Sequence, residues 1–258
     1  MFANNPGCRP SDFVDNNKIA NLSEIESIIL NSKRVYRMNF LINGTMDFPM
    51  RLKDAKEPVE LLYYSGNLDY LHSRGIAIVG TRNPTNEGLR ITKEITTNLV
   101  KDDFTIFSGL ATGIDTQAHT SAIEANGRTV AVIGTPLNAV YPKQNEQLQN
   151  LISKEHLLIS QVPFYKYSLQ NYLLNRFFFL ERNKTMSALT DATLIVEAGE
   201  TSGSLTQATA ALYQKRKLLI WDACFYNKAI TWPQRFLDKG AIRVRNYDDI
   251  KMALKQDV

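Results

Sequence analysis

Cysteine is scarce in this sequence, with Cys8 and Cys224 the only two in 258 residues. Two thiols supply neither a disulfide framework nor a four-ligand zinc set, so a reducing compartment is the simpler setting. Histidine is nearly as rare, and His72, His119 and His156 follow no metal-ligand spacing. No metal and no cofactor are therefore expected. Long apolar runs are missing too: stretches such as 193–196 and 217–221 fall far below the roughly 20 residues that span a bilayer. Residues 1–8 lack the basic-then-apolar pattern of a secretory leader, so no membrane association is expected and the cytoplasm is the expected location. Nor is there a lysine and arginine tract, and a net charge of +4 permits a polyanionic partner without demanding one. Two phosphate-loop signatures are absent, Gly-x-Gly-x-x-Gly after a strand and Gly-x-x-x-x-Gly-Lys-Ser/Thr, which excludes the standard dinucleotide and P-loop sites.

What is present is enough apolar material for a full core, 44% of the residues. From residue 76 onward, short β-branched runs alternate with helix-like stretches, the pattern of parallel strands joined by helical crossovers. Strands are expected at 76–80, 105–109, 129–134, 157–162, 193–198, 217–221 and 241–244. Helices are expected near 87–100, 115–125, 145–153, 176–189, 204–215 and 232–238. This predicts a doubly wound α/β fold with a mostly parallel sheet over residues 73–258, which binds ligands beyond the carboxyl ends of its strands. Residues 1–72 do not share the alternation. Pro6 and Pro10 among asparagines suggest a loose start, an amphipathic helix is expected around 23–32, and Pro49 and Pro58 interrupt regular structure before Tyr63 and Tyr64. We read 1–72 as a short N-terminal segment packed on the sheet domain.

Four expected strand ends carry turns suited to an anion: Gly80, Thr81 and Arg82; Ser108 and Gly109, leading on to Gly113; Gly134 and Thr135; and Glu197 and Ala198 with Ser202, Gly203 and Ser204. Glycine lets backbone N–H groups approach a ligand, and a helix N-terminus adds unpaired donors and a positive dipole end. Each turn alone is also ordinary turn chemistry, and Ser202 or Ser204 is also a helix cap; four on one edge point to phosphate. Arg82, Lys143, Arg182 and Lys184 supply cations for that edge, or are solvated surface charges. Tyr141, Phe164, Tyr165, Tyr167, Tyr172 and the phenylalanines at 177–179 are interleaved with them, so that bases of a single strand could stack on one or two. Core packing is expected for the phenylalanine triplet, because three adjacent aromatics on a helix cannot all face outward. Asp115 and His119, four residues apart, are either an acid–base pair or a helix-start carboxylate and a satisfied histidine. Glu197 is either a catalytic carboxylate or an organiser of its loop.

The stretches "FPMRLKDAKEPVELLYYSGN", "IAIVGTRNPTNEGLRI", "IFSGLATGIDTQAHTSAIEANGRTVAVIGTPLNAVYPKQNEQL", "ERNKTMSAL" and "LIVEAGETSGSLTQATAAL" together resemble the DprA/Smf family of DNA-processing proteins, from about residue 47 to 221. The resemblance implies an extended Rossmann-like fold without catalytic residues that binds single-stranded DNA in a basic pocket. It also implies dimerisation and loading of the recombinase RecA during natural transformation. By that likeness the pocket comprises Gly80, Arg82, Ser108, Gly109, Lys143, Arg182, Asn183, Lys184, Ser202, Gly203 and Ser204, with Thr81 in the first turn. The chain departs from the family pattern at Lys184, where arginine is usual, at Gln161 after Ser160, where glutamate is usual, and at Asp222, Ala223 and Cys224, where Val/Ile-Pro-Gly is expected. A compact version without the usual terminal accessory domains is expected. The alternative is a nucleotide-ligand sensor or nucleotide N-glycosidase using the same strand-edge pocket. Phosphoribohydrolases of that kind carry a Pro-Gly-Gly-x-Gly-Thr-x-x-Glu loop, of which Glu197 to Gly199 with Ser202 to Ser204 is a distant counterpart.

Overall fold

The computed structural model describes residues 39–55 and 59–255. Among the described residues, nine strands form one sheet: β1 (Asn39–Ile42), β2 (Leu61–Gly66), β3 (Gly75–Val79), β4 (Thr105–Ser108), β5 (Thr129–Ile133), β6 (Leu157–Ser160), β7 (Ala192–Ile195), β8 (Lys217–Trp221) and β9 (Ile242–Val244). Their order is β1-β2-β6-β5-β4-β3-β7-β8-β9. Strands β3 to β9 are mutually parallel, whereas β2 runs antiparallel to both β1 and β6. The helices are α1 (Asn86–Lys101), α2 (Ile114–Glu124), α3 (Glu146–Glu155), α4 (Phe164–Leu169), α5 (Tyr172–Asn175), α6 (Phe177–Leu189), α7 (Ser204–Tyr213), α8 (Trp232–Leu237) and α9 (Tyr247–Lys255).

The parallel strands read as unbroken apolar runs because both faces of the sheet are covered. On β3, Ile76 and Ile78 join Ile91, Ile95 and Leu99 of α1 and Ile114, Ala118 and Ala122 of α2. Between them, Ala77 and Val79 point the other way, toward Met186, Ala188 and Leu189 of α6 and Ala208 and Ala211 of α7. Period-2 alternation therefore selects which layer a side chain meets, with no solvent face to show up as polar residues.

The chain adds β4, β5 and β6 on one side of β3, then crosses through α6 to place β7, β8 and β9 on the other. The order thus reverses between β3 and β7, and the loops leaving these strands part there, which opens a crevice at their carboxyl ends. Val196 N–H donates to the Val79 carbonyl (3.2 Å) and Thr81 N–H to the Glu197 carbonyl (2.6 Å), tying the two strand ends together.

All seven expected strands and six expected helices are present, with ends shifted by a few residues. Strands β1 and β2 and helices α4, α5 and α9 were not anticipated. β2 joins the sheet through pairs such as Tyr64 with Ile159, a partner distant in sequence. The expected helix at 23–32, the loose start around Pro6 and Pro10, Cys8 and Pro58 lie outside the described residues. Among the described residues, no helix is long and apolar enough to cross a membrane, and no His/Cys/Asp/Glu group is arranged to hold a metal ion.

Replacing Ile78 by alanine removes a fully buried side chain from the centre of this packing and is expected to lower stability by about 2–5 kcal/mol in urea denaturation. A loss below about 1 kcal/mol would contradict the close packing of this face.

Candidate nucleic-acid interface

The floor of the crevice is built around the backbone of one residue, Gly109, directly after β4. Arg182 on α6 is buried, 6% exposed, and its Nη1 donates to the carbonyls of Gly109 (2.5 Å) and Val132 (2.7 Å). Asp115 in the first turn of α2, equally buried, accepts from the N–H groups of Gly109 (3.1 Å) and Ala111 (3.4 Å). A Cβ at position 109 would overlap the Arg182 guanidinium, so glycine is what allows the arginine to lie there. The rest of the loop is also held: Asn145 Nδ2 donates to the Leu110 carbonyl (2.8 Å) and Thr116 Oγ1 to that of Ala111 (2.7 Å). Leu110 itself is fully buried with φ of 59°, a left-handed conformation that a leucine keeps only when its surroundings hold it.

Burial dominates the electrostatics of this floor. It pulls the Arg182 guanidinium down to about 10, while Asp115 supports its charge and Arg82 opposes it. Asp115 is pushed above the usual carboxylate range by burial, with Arg182, the Ala111 and Gly109 N–H groups and Arg82 pulling it back. At neutral pH the arginine keeps its proton, so a positive charge lies beneath the crevice.

Above this floor lie two adjoining cavities. The first, about 560 Å³, is bounded by Gly80, Thr81 and Arg82 after β3, by Asn183, and by Ser202, Gly203 and Ser204 at the start of α7. The turn after β3 is strapped on both sides, since Ile114 N–H donates to the Thr81 carbonyl (3.2 Å) and Ser204 Oγ reaches the Gly80 carbonyl (3.4 Å). A Cβ on Gly80 would sit 2.7 Å from the Glu197 carbonyl oxygen, which explains the glycine that ends this buried strand. Asn183 Nδ2 donates to the Gly203 carbonyl (3.0 Å) and Ser204 N–H to Ser202 Oγ (3.2 Å), fixing the α7 N-terminus at the cavity wall. The second cavity, about 570 Å³, lies toward Gly109, Thr112, Pro142 and Lys143. Arg82, Ala111, Tyr141, Phe179 and Arg182 border both. Tyr141 and Phe179 meet edge to face, with centroids 5.4 Å apart.

Most of the residues expected from sequence converge here. Gly80, Thr81, Arg82, Arg182, Asn183, Ser202, Gly203 and Ser204 border the first cavity, and Gly109 and Lys143 the second. Ser108 and Lys184 border neither: Ser108 Oγ donates to the Ile78 carbonyl inside the sheet (2.7 Å), and Lys184 is paired with Glu181. Gly134 lies under the Phe179 ring, and Thr135 Oγ1 donates to the Ala139 carbonyl (3.2 Å), so that turn also stands apart from the cavities. Arg82, Lys143 and Arg176 are exposed and have no hydrogen-bonded or ion-paired side-chain partner among the described residues. Arg176, which borders the first cavity, was missed in the sequence; an arginine directly ahead of three phenylalanines was its signal.

The phenylalanine triplet corrects an expectation. Its residues are outside the core: Phe177 is 62% exposed, while Phe178 and Phe179 are half-buried. The buried residues of α6 begin at Arg182, and its first turns are half-buried or exposed. Asp115 and His119 are no acid–base pair either. His119 is fully buried with Nδ1 2.7 Å from Thr129 Oγ1, and burial pulls it down to about 3. Glu197 accepts from the N–H (3.1 Å) and hydroxyl (2.9 Å) of Thr85, the cap of α1, so it organises the loop.

Residues 39–255 match the model of the family described as DNA recombination-mediator protein A. Protein Smf of Synechocystis sp. is 43% identical over 176 residues, 67% of this chain and 43% of that protein. DNA processing protein DprA of Bacillus subtilis is 31% identical over 223 residues, 86% of this chain and 73% of that protein. Among solved structures, DprA of Streptococcus pneumoniae superposes with a TM-score of 0.78 at 26% identity, covering 98% of this chain and 84% of that one. DprA of Helicobacter pylori, whose structure is described as giving insights into a unique single-stranded DNA binding mode, superposes with a TM-score of 0.71 at 26% identity, covering 85% and 96% respectively. The chain thus spans less than half of the cyanobacterial relative and about three quarters of the Bacillus one.

Two outcomes follow for stability. Arg182→Met leaves Asp115 buried without its countercharge and is expected to cost about 3–5 kcal/mol, whereas Arg82→Ala should stay within about 0.5 kcal/mol of the parent by urea denaturation. Equal effects would contradict the division into floor and rim. For His119, the folded chain disfavours the proton that the unfolded chain takes up below the ordinary value of 6.5. Stability is therefore lost on acidification, and His119→Gln should reduce the loss between pH 7 and pH 5 by about 2 kcal/mol. Comparison with the variant removes the contributions of His156, also pulled down by burial, and of Asp115, which acts in the opposite direction. An unchanged loss would contradict a neutral, buried His119.

Proposed function

Because the chain belongs to the DNA recombination-mediator protein A family, we propose that it is a non-enzymatic single-stranded-DNA-binding protein that protects the strand in the cytoplasm and assists loading of the RecA recombinase onto it during DNA uptake and recombination. A homodimer is the proposed assembly. The observation that carries the reading is the series Arg176, Arg82 and Lys143, three unpaired cations set across two cavities that also present Tyr172, Tyr141 and Phe179. A single nucleotide needs one or two cations; a strand several nucleotides long needs a succession of them and aromatic faces for its bases. The single-stranded DNA binding mode described for the Helicobacter relative supports the same ligand class.

Affinity would come from phosphates meeting exposed cations at the rim, reinforced by the buried Arg182 charge and the N-terminus of α7. The alternative, a small nucleotide bound or cleaved at its glycosidic bond, is favoured by one feature, since each cavity alone has the volume of a small-ligand site. The engagement of Glu197 with Thr85, and of Asp115 with the Gly109 and Ala111 N–H groups, supports binding over hydrolysis.

Fluorescence anisotropy with a labelled thymidine oligonucleotide of about 30 residues across a salt series tests this reading. The logarithm of affinity should fall by about 0.7 per neutralised phosphate for each tenfold rise in salt, duplex should bind more weakly, and Arg82→Ala should lower the slope by about one contact. A flat salt response would sink the proposal. Release of free base from nucleoside monophosphates, abolished in Glu197→Gln, would establish the alternative in its place.

A further inference from the structure

The two cavities are of nearly equal size and stand side by side, separated by shared side chains. Each falls within the roughly 300–1,000 Å³ typical of a small-ligand site. The exposed cations are distributed over them in a regular way: Arg176 borders only the first, Arg82 borders both, and Lys143 borders only the second. The aromatic side chains follow the same scheme, with Tyr172 in the first cavity and the Tyr141–Phe179 pair on the boundary. Cation, cavity, cation, cavity, cation is the alternation of phosphate and nucleoside along a nucleic-acid strand.

We infer that the two cavities hold two consecutive nucleotides of one strand, with the phosphate between them on Arg82 and the outer phosphates on Arg176 and Lys143. The inference rests on the single-strand reading above and assigns it a unit: two bases and three phosphates. The Tyr141–Phe179 boundary parts the two bases and offers each an aromatic surface, while Tyr172 closes the first site. Arg176 and Lys143 thereby acquire separate roles, because each meets a different end of the same dinucleotide. Arg182 lies beneath both positions, buried, with its Nη1 donating to the Gly109 and Val132 carbonyls, so it supplies field to the central phosphate from below while Arg82 is the exposed contact.

The test is competition against the labelled thymidine 30-mer with short ligands: thymidine monophosphate, the dinucleotide pdTpdTp, its two versions lacking one terminal phosphate, and versions with either base removed. The dinucleotide should compete far better than the mononucleotide, and loss of either base should weaken it by about 5- to 100-fold. Arg176→Gln and Lys143→Gln should each weaken pdTpdTp binding, and each variant should become insensitive to loss of one terminal phosphate, a different one in the two cases. That pattern of paired insensitivity also reads out strand polarity. Tyr172→Ala, at a side chain 66% exposed and so without cost to folding, should weaken the dinucleotide and leave an abasic counterpart unaffected. If the mononucleotide competes as well as the dinucleotide, or both variants respond to the same terminal phosphate, while the 30-mer still binds with its salt dependence, the two-nucleotide inference falls and the single-strand reading stands. If the 30-mer itself does not bind, both fall.

Discussion

A guanidinium taken out of water must find oxygen atoms, and Arg182 finds two of them through Nη1, on the backbone at the ends of two neighbouring strands, while its buried Nε is left without a partner. That requirement shapes the site. The arginine can occupy its position only over a glycine at 109, the glycine N–H is held from the other side by Asp115, and Asp115 is placed there by the first turn of α2. One buried charge thus links α6, the end of β4 and α2. The cavities above inherit a rigid floor in which the backbone polar groups are already engaged. A ligand meets a surface whose shape is set before it arrives, with the freedom left to the exposed side chains at the rim.

The division between floor and rim also explains how the cations differ. Arg182 contributes a field that salt screens poorly, because it lies beneath protein; Arg82, Arg176 and Lys143 contribute charges that water and counterions reach. The first is balanced within the fold by Asp115, whereas the others stand exposed at the rim with no side-chain partner among the described residues. Lys184, two residues after Arg182 on the same helix, belongs to neither class, since Glu181 neutralises it one turn away.

Much of this architecture was legible in the sequence, for identifiable reasons. Strands β3 to β9 announce themselves as short runs of apolar residues because helices cover both faces, and the glycine-rich turns mark where they end. Strands β1 and β2 were not legible, since β2 is defined by antiparallel pairing to β6, nearly a hundred residues on, and carries no local signal of it. Residue type announced that Arg82, Lys143 and Arg182 are cations near one edge; it carried no information on which would be buried, because that follows from the absence of a side chain at 109. The phenylalanines at 177–179 misled for a related reason. Helical periodicity says how side chains are distributed around α6, but how much of α6 the neighbouring elements cover is a property of the crossover as a whole.

The order of the chain adds a consequence in time. The Ser204 hydroxyl closes on the Gly80 carbonyl across 124 residues, and the arginine of the floor lies on the helix that precedes the second half of the sheet. During synthesis from the N-terminus, a nascent chain that has completed β3 through β6 therefore exposes Arg82 and Lys143 without the strand end and helix start that complete the crevice. The first cavity is built only after α7 has emerged, whereas every residue that borders the second precedes β7, so the crevice is completed in two stages, with the first cavity last.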